Sequence, residues 1–195
     1  MDFEAVKKFI LDRLEHGLDK NLVYHSIDHT RDVLNSVERL ARLEGVNGDN
    51  LTLLRTAALF HDAGFLETYD GHEMASIEMA RRVLPKYGYS DQNIADIQGM
   101  IKSTEIPQNP KNHLEEILAD ADLDYLGRDD LFLIGQRLQY EWSSFGKVSS
   151  LRDWHFKQLE FLKNHKFFTK SAVDLREEKK QENIKELENL LCLKK

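Results

Sequence analysis

One cysteine, three prolines and ten glycines are all that 195 residues hold of the residue types that staple, break or loosen a chain. The lone Cys192 has no partner for an internal disulfide, so nothing in the sequence calls for an oxidising compartment. Without a group of thiolates there is no cysteine-based metal site and no closed structural zinc centre. A Gly-rich phosphate loop, an internal repeat and a low-complexity linker are all missing. The segment MDFEAVKKFILDRLEHGL interleaves charged and apolar residues at helical spacing and never builds an uninterrupted apolar run. That pattern argues against a secretion signal or a membrane anchor, making a cytoplasmic location and no membrane partner the expectation. Nowhere do apolar and polar residues alternate as a half-buried strand requires.

What the sequence does contain is charge and helical periodicity. Charged residues make up 31% of it and the formal net charge is -7, which favours solubility and makes nucleic acid an unexpected partner. Phe3, Val6, Phe9, Ile10 and Leu14 form one stripe of a first helix. Val33, Leu34, Val37, Leu40 and Ala41 continue the pattern from about Ile27, and EGVNGDN ends it. LTLLRTAALFHD is apolar almost all round, as a central helix would be, and stops at Ala63 and Gly64. HEMASIEMARRVLPKYG follows, with Pro85 near its end; Ser90 is placed to cap the next helix, and Pro107, Asn109 and Pro110 mark a connection. Further helices are expected at about His113 to Asp124, Asp129 to Glu141 and Leu151 to Asn164. The fold class is therefore all-α: a compact helical domain over residues 1–170, with residues 171–195 an amphipathic C-terminal helix packed on the domain or on a partner. A monomer or a homodimer fits this layout.

The candidate chemistry lies on separate helices. YHSIDHTRDV carries His25 and His29 four residues apart where a helix begins. His61 and Asp62 sit side by side at the end of the apolar third helix, where an ionisable pair is costly to bury unless a cation or hydrogen bonds compensate it. Neighbouring helix positions point about 100 degrees apart, so both side chains reach one ion most easily at a frayed helix end. Asp120, Asp122 and Asp124 follow in LADADLDYLG; in a continuous helix Asp120 and Asp124 share a face and Asp122 lies nearly opposite. Two imidazoles and two carboxylates, with no thiolate, suit one divalent ion of Mn, Mg, Fe, Ni, Co or Zn. Four protein ligands on an octahedral ion leave room for water and a substrate oxygen.

The order YHSIDHT, LFHDAG and ADLD resembles the HD superfamily of metal-dependent phosphohydrolases over about Leu22 to Gly127. The resemblance implies an HD-type helical core around one or two divalent metals and hydrolysis of phosphate mono- or diesters, with nucleotides frequent among the substrates. Its H…HD…D ligands fall on His29, His61, Asp62 and, from the ADL context, Asp122, with Asp120 as the rival. The opening stretch is also similar to the YHN…HA signature of cyclic-nucleotide phosphodiesterases, where the first histidine protonates the leaving oxygen; that implies a general acid role for His25. Ser26 replaces the asparagine of that signature and the chain is much shorter, so cyclic-nucleotide specificity is not carried over. By the same likeness His72 is a phosphate or second-metal contact, and a helix N-terminus there would favour an anion. Lys102 to Thr104 stand where binuclear relatives carry another histidine, which favours one metal over two.

The expected reaction is hydrolysis of a small phosphorylated substrate, nucleotides included, by metal-activated water. Asp62 would accept a hydrogen bond from that water, and His25, Lys102 or Arg55 would stabilise charge on the phosphate or leaving group. A non-catalytic nucleotide-binding regulatory module on the same fold is the alternative, and a helical oxygenase a more remote one. His16, His113, His155 and His165 read as surface or packing residues. The aromatic-rich DWHFKQLEFLKNHKFF, with Trp154, Phe156, Phe161 and Phe167 among lysines, reads as helical core packing rather than a nucleic-acid surface.

Overall fold

Apolar stripes on successive segments have to be covered by one another, and in this chain helices alone do it. A computed structural model describes residues 1–191, so Cys192 and the end of the anticipated C-terminal helix lie outside the described residues. Among the described residues there are nine α-helices and no strand: α1 Phe3–Gly17, α2 Ile27–Leu43, α3 Gly48–Phe60, α4 His72–Val83, α5 Asp91–Ser103, α6 His113–Asp122, α7 Leu131–Ser144, α8 Leu151–Asn164 and α9 Lys170–Leu190. None of these helices is long and apolar enough to cross a membrane.

Local chemistry explains where the helices begin. The Asp2 carboxylate accepts from the Ala5 amide at 3.1 Å to open α1. Ser90 and Asn93 form the reciprocal cap expected at Ser90, with the Asn93 amide on Ser90 Oγ at 3.2 Å and the Ser90 amide on Asn93 Oδ1 at 3.1 Å. Asn112 accepts from the amides of Leu114 and Glu115 to start α6.

The nearly uniform apolarity of α3 is used as expected. Leu54, Ala57, Ala58, Leu59 and Phe60 are fully buried, because α3 packs against α1, α2, α5 and α6. The helix stops at Phe60, and a 3₁₀ turn, Ala63–Leu66, follows His61 and Asp62. Residues 113–124, anticipated as one helix, divide into α6 and a second 3₁₀ turn at Asp124–Gly127. The break coincides with a tether: Asp124 receives Arg39 from α2 at 2.7 Å and Arg176 from α9 at 2.8 Å. Three-centre ion pairing of this kind fixes a buried carboxylate that would otherwise be expensive. The last helix buries Ala172, Ile184 and Leu187 and shares the main core.

One close approach sets the position of the turn after Asp62. The Gly64 amide donates to Ser76 Oγ of α4 at 2.7 Å. A β-carbon on Gly64 would stand 1.9 Å from the His72 carbonyl oxygen and 2.7 Å from the Ser76 nitrogen, both backbone atoms. Gly64→Ala must therefore separate the turn from α4, and the expected loss is about 1–3 kcal/mol of stability. A denaturation midpoint equal to that of the parent protein would contradict this packing.

Candidate metal centre

His29 enters from the first turns of α2, His61 from the residue that ends α3, Asp62 from the next position, and Asp122 from the last residue of α6. The two imidazole Nε2 atoms are 3.2 Å apart. Asp62 Oδ2 lies 3.3 Å from His29 Nε2 and 3.1 Å from His61 Nε2, while Asp122 Oδ1 lies 3.2 and 3.4 Å from the same two atoms. His29, His61 and Asp122 place ligand atoms within 4.8 Å of one another, an arrangement able to hold a metal ion. The adjacent His61 and Asp62 face one point because α3 has already ended: His61 is still helical, whereas Asp62 has left the helix with φ -107 and ψ 6.

Each imidazole is oriented from behind. His61 Nδ1 is 2.8 Å from the Ala58 carbonyl and donates to it, which turns Nε2 toward the carboxylates. His29 lies against the Tyr24 ring with centroids 4.8 Å apart. Burial alone would lower the pKa of His29, but the adjacent Asp122 and Asp62 carboxylates outweigh it and raise it to about 9. Burial opposes the rise at His61 as well, and the charge of Asp62 leads the groups that lift it well above its ordinary value. Burial would raise Asp122, yet His29 and His61 hold it at about 2. The cluster therefore attracts positive charge.

The fit to a cation rests on one orphaned atom. Asp62 Oδ2 is buried and has no properly aligned hydrogen-bond partner, although both imidazole nitrogens stand close to it. A buried carboxylate oxygen left in that state costs free energy that a divalent ion would offset. Two imidazoles and two carboxylates suit a borderline or hard divalent ion.

Asp62, Asp122, His25, His72 and Glu73 line a cavity of about 320 Å³ beside the cluster. His72, the first residue of α4, points Nε2 at Asp62 Oδ1 from 3.5 Å. His25 lines the cavity while its Nδ1 meets Glu141 Oε1 at 2.5 Å. Glu141, fully buried on α7, also accepts from the amides of Tyr24 and His25 at 3.0 and 3.1 Å and from the Tyr69 hydroxyl at 3.3 Å. Burial would raise the pKa of Glu141, but its bond to His25 leads the groups that hold it below the usual value. The sequence gives no hint of this residue, because its partners lie 72 to 117 positions away. Lys157, read among packing residues, is a cation on the same cavity wall.

Three anticipated residues are not brought to the cluster. Lys102 is half exposed and pairs with Glu105 one turn on. Arg55 pairs with Glu38 at 2.8 Å and lies 4.1 Å over the Phe3 ring. Asp120 turns to the other side of α6, where it accepts from the amides of Phe168 and Thr169 at 2.9 and 2.8 Å and from the Thr169 hydroxyl at 2.7 Å. Those bonds hold Thr169, whose hydroxyl caps α9 by accepting from the Ala172 amide, so Asp120 anchors the start of the last helix while Asp122 faces the imidazoles.

The model of the HD domain matches residues 26–124, just over half of the chain. An uncharacterized protein of Clostridium beijerinckii is 31% identical over 87 residues, 43% of this chain and 55% of that protein, so the chain spans about half the length of the relative it matches. A predicted HD superfamily hydrolase from an uncultured Thermotogales bacterium shares the fold at 21% identity and a TM-score of 0.64, over 97% of this chain and 91% of that one. A Lactobacillus plantarum protein does so at 18% and 0.65, over 99% and 98% of the two chains. Bacillus subtilis YpgQ, solved in complex with ADP, gives 16% and 0.63, over 96% of each chain. Within the architecture they share, Asp120 has a structural place of its own: Asp120→Ala leaves two backbone amides without acceptors, and the expected loss is about 1–3 kcal/mol in chemical denaturation. An unchanged stability would show that the α9 cap does not need it. With the family region running from the start of α2 through the α6 aspartates, and with the helical setting that goes with it, this chain belongs to the HD domain family.

Proposed function

We propose that the chain is a metal-dependent phosphohydrolase acting on a phosphate mono- or diester of a small molecule, nucleotides included. The observation that carries this reading is the buried Asp62 Oδ2, which has no aligned hydrogen bond and faces two imidazole nitrogens at the edge of a cavity that also admits His25. His29, His61, Asp62 and Asp122 would hold one divalent ion. Bound there, such an ion acidifies coordinated water and offsets charge on phosphoryl oxygens.

The chain's own residues divide the remaining work. Asp62 accepts a hydrogen bond from the attacking water and so aims it. His25 protonates the leaving oxygen: Glu141 holds its Nδ1 and thereby fixes the ring's orientation, which leaves Nε2 to face the substrate. The ring is kept in plane by stacking on Phe65, with centroids 4.3 Å apart. His72 also stacks on Phe65, with centroids 3.9 Å apart, and serves as a phosphate contact at the start of α4. The ADP bound to YpgQ supports a nucleotide as one substrate class to test.

Metal analysis of protein purified without chelator, followed by phosphate release from nucleotides, cyclic nucleotides and simple phosphomonoesters, tests the reading. His61→Ala and Asp62→Ala should lose both bound metal and turnover. His25→Ala should keep the metal and lose roughly 10²- to 10⁴-fold in kcat. Retention of metal and activity in the His61 and Asp62 variants would refute the centre. Ligand binding without turnover under every metal would instead favour a regulatory module.

A further inference from the structure

The far wall of the cavity is not built by the family region. Leu138 and Trp142 of α7 and Trp154, Gln158 and Phe161 of α8 line it, all beyond residue 124. Trp142 and Trp154 meet edge to face, with centroids 5.5 Å apart and planes at 87°. The aromatic residues assigned to core packing thus have two fates. Phe167 joins the core alone, whereas the buried Trp154 and the core-packed Phe161 also line the cavity.

Gln158 breaks the apolar character of this wall. It is 6% exposed, and its Oε1 is buried with no hydrogen-bond partner. Its amide packs closely over Gly135 of α7: a β-carbon there would stand 2.4 Å from Gln158 Nε2. An uncompensated amide among aromatic rings costs free energy until a ligand answers it. Rotation about the last side-chain torsion exchanges its oxygen and nitrogen, so it can meet an acceptor and a donor together. A ligand with a flat π-face and a donor–acceptor edge satisfies both the rings and the amide, and a nucleobase has both. The cavity, about 320 Å³, is at the small-ligand end of binding-site volumes.

We infer that α7 and α8 form a base-recognition pocket: the ligand is a nucleoside phosphate whose base packs on Trp142, Trp154 and Phe161 and pairs with the Gln158 amide while its phosphate reaches the His29, His61, Asp62 and Asp122 cluster. The orientation rests on the reading that this cluster handles phosphate. Gln158 is then a specificity-determining residue supplied by helices appended to the family core.

The chain's two tryptophans both line this cavity, so tryptophan fluorescence, excited selectively over tyrosine, reports on it. The full-length protein with Mg²⁺ is titrated with AMP, GMP, CMP, UMP and ribose 5-phosphate. At least one nucleotide should change the emission and bind roughly 10-fold or more tightly than ribose 5-phosphate. Gln158→Leu should weaken that nucleotide by roughly 5- to 100-fold and narrow its advantage over ribose 5-phosphate. Equal affinity for ribose 5-phosphate and all four nucleotides overturns the proposal without any variant, so the test stands even if Gln158→Leu does not fold. Parent-like nucleotide affinity in a folded Gln158→Leu protein overturns it too. Base-dependent binding without phosphate release would sustain the pocket and defeat the hydrolase reading; phosphate release with no base preference would do the reverse.

Discussion

Two imidazoles and two carboxylates meet inside a helical core, and the surrounding helices are arranged around the electrostatic demand this creates. Buried ionisable groups are tolerable when each finds a charge or hydrogen bond of the right sign. Here the four groups supply most of that to one another, through five separations of 3.1 to 3.4 Å counting the imidazole pair, which leaves Asp62 Oδ2 incompletely served. The abrupt end of α3 is what allows it. Had the helix continued through Asp62, adjacent side chains would diverge, and His61 and Asp62 would not address one point.

The three aspartates of ADADLD show how one short segment serves both chemistry and architecture. Asp122 faces the imidazoles, Asp120 holds the Thr169 cap of α9, and Asp124 draws in Arg39 and Arg176. The C-terminal helix is thus tied on either side of a candidate ligand. Glu141 adds a tie from α7, accepting four hydrogen bonds from Tyr24, His25 and Tyr69. Residues outside the family region hold those inside it in place.

Helical class and most helix positions were legible because a period of 3.6 and a capping serine leave local marks, and the adjacent His-Asp pair and the ADL context singled out four residues, His29, His61, Asp62 and Asp122, that the fold brings together. Asp120 and Asp122 were harder to separate. Reading residues 113–124 as one helix put Asp120 and Asp124 on a common face, whereas the helix ends at Asp122 and the next turn is held by arginines distant in sequence. Lys102 and Arg55 attracted attention as cations, but Glu105 and Glu38 occupy them. Glu141 and Gln158 were invisible for the opposite reason. A glutamate or glutamine in an amphipathic helix looks solvated until the tertiary contacts bury it.

Manganese leaves a direct signature in anomalous diffraction, and crystals soaked in Mn²⁺ and measured at its absorption edge test the centre without recourse to activity. The account predicts one strong peak within bonding distance of the ligand atoms of His29, His61, Asp62 and Asp122. A fully loaded crystal with no peak among these four residues, or with its only peak elsewhere, would contradict it.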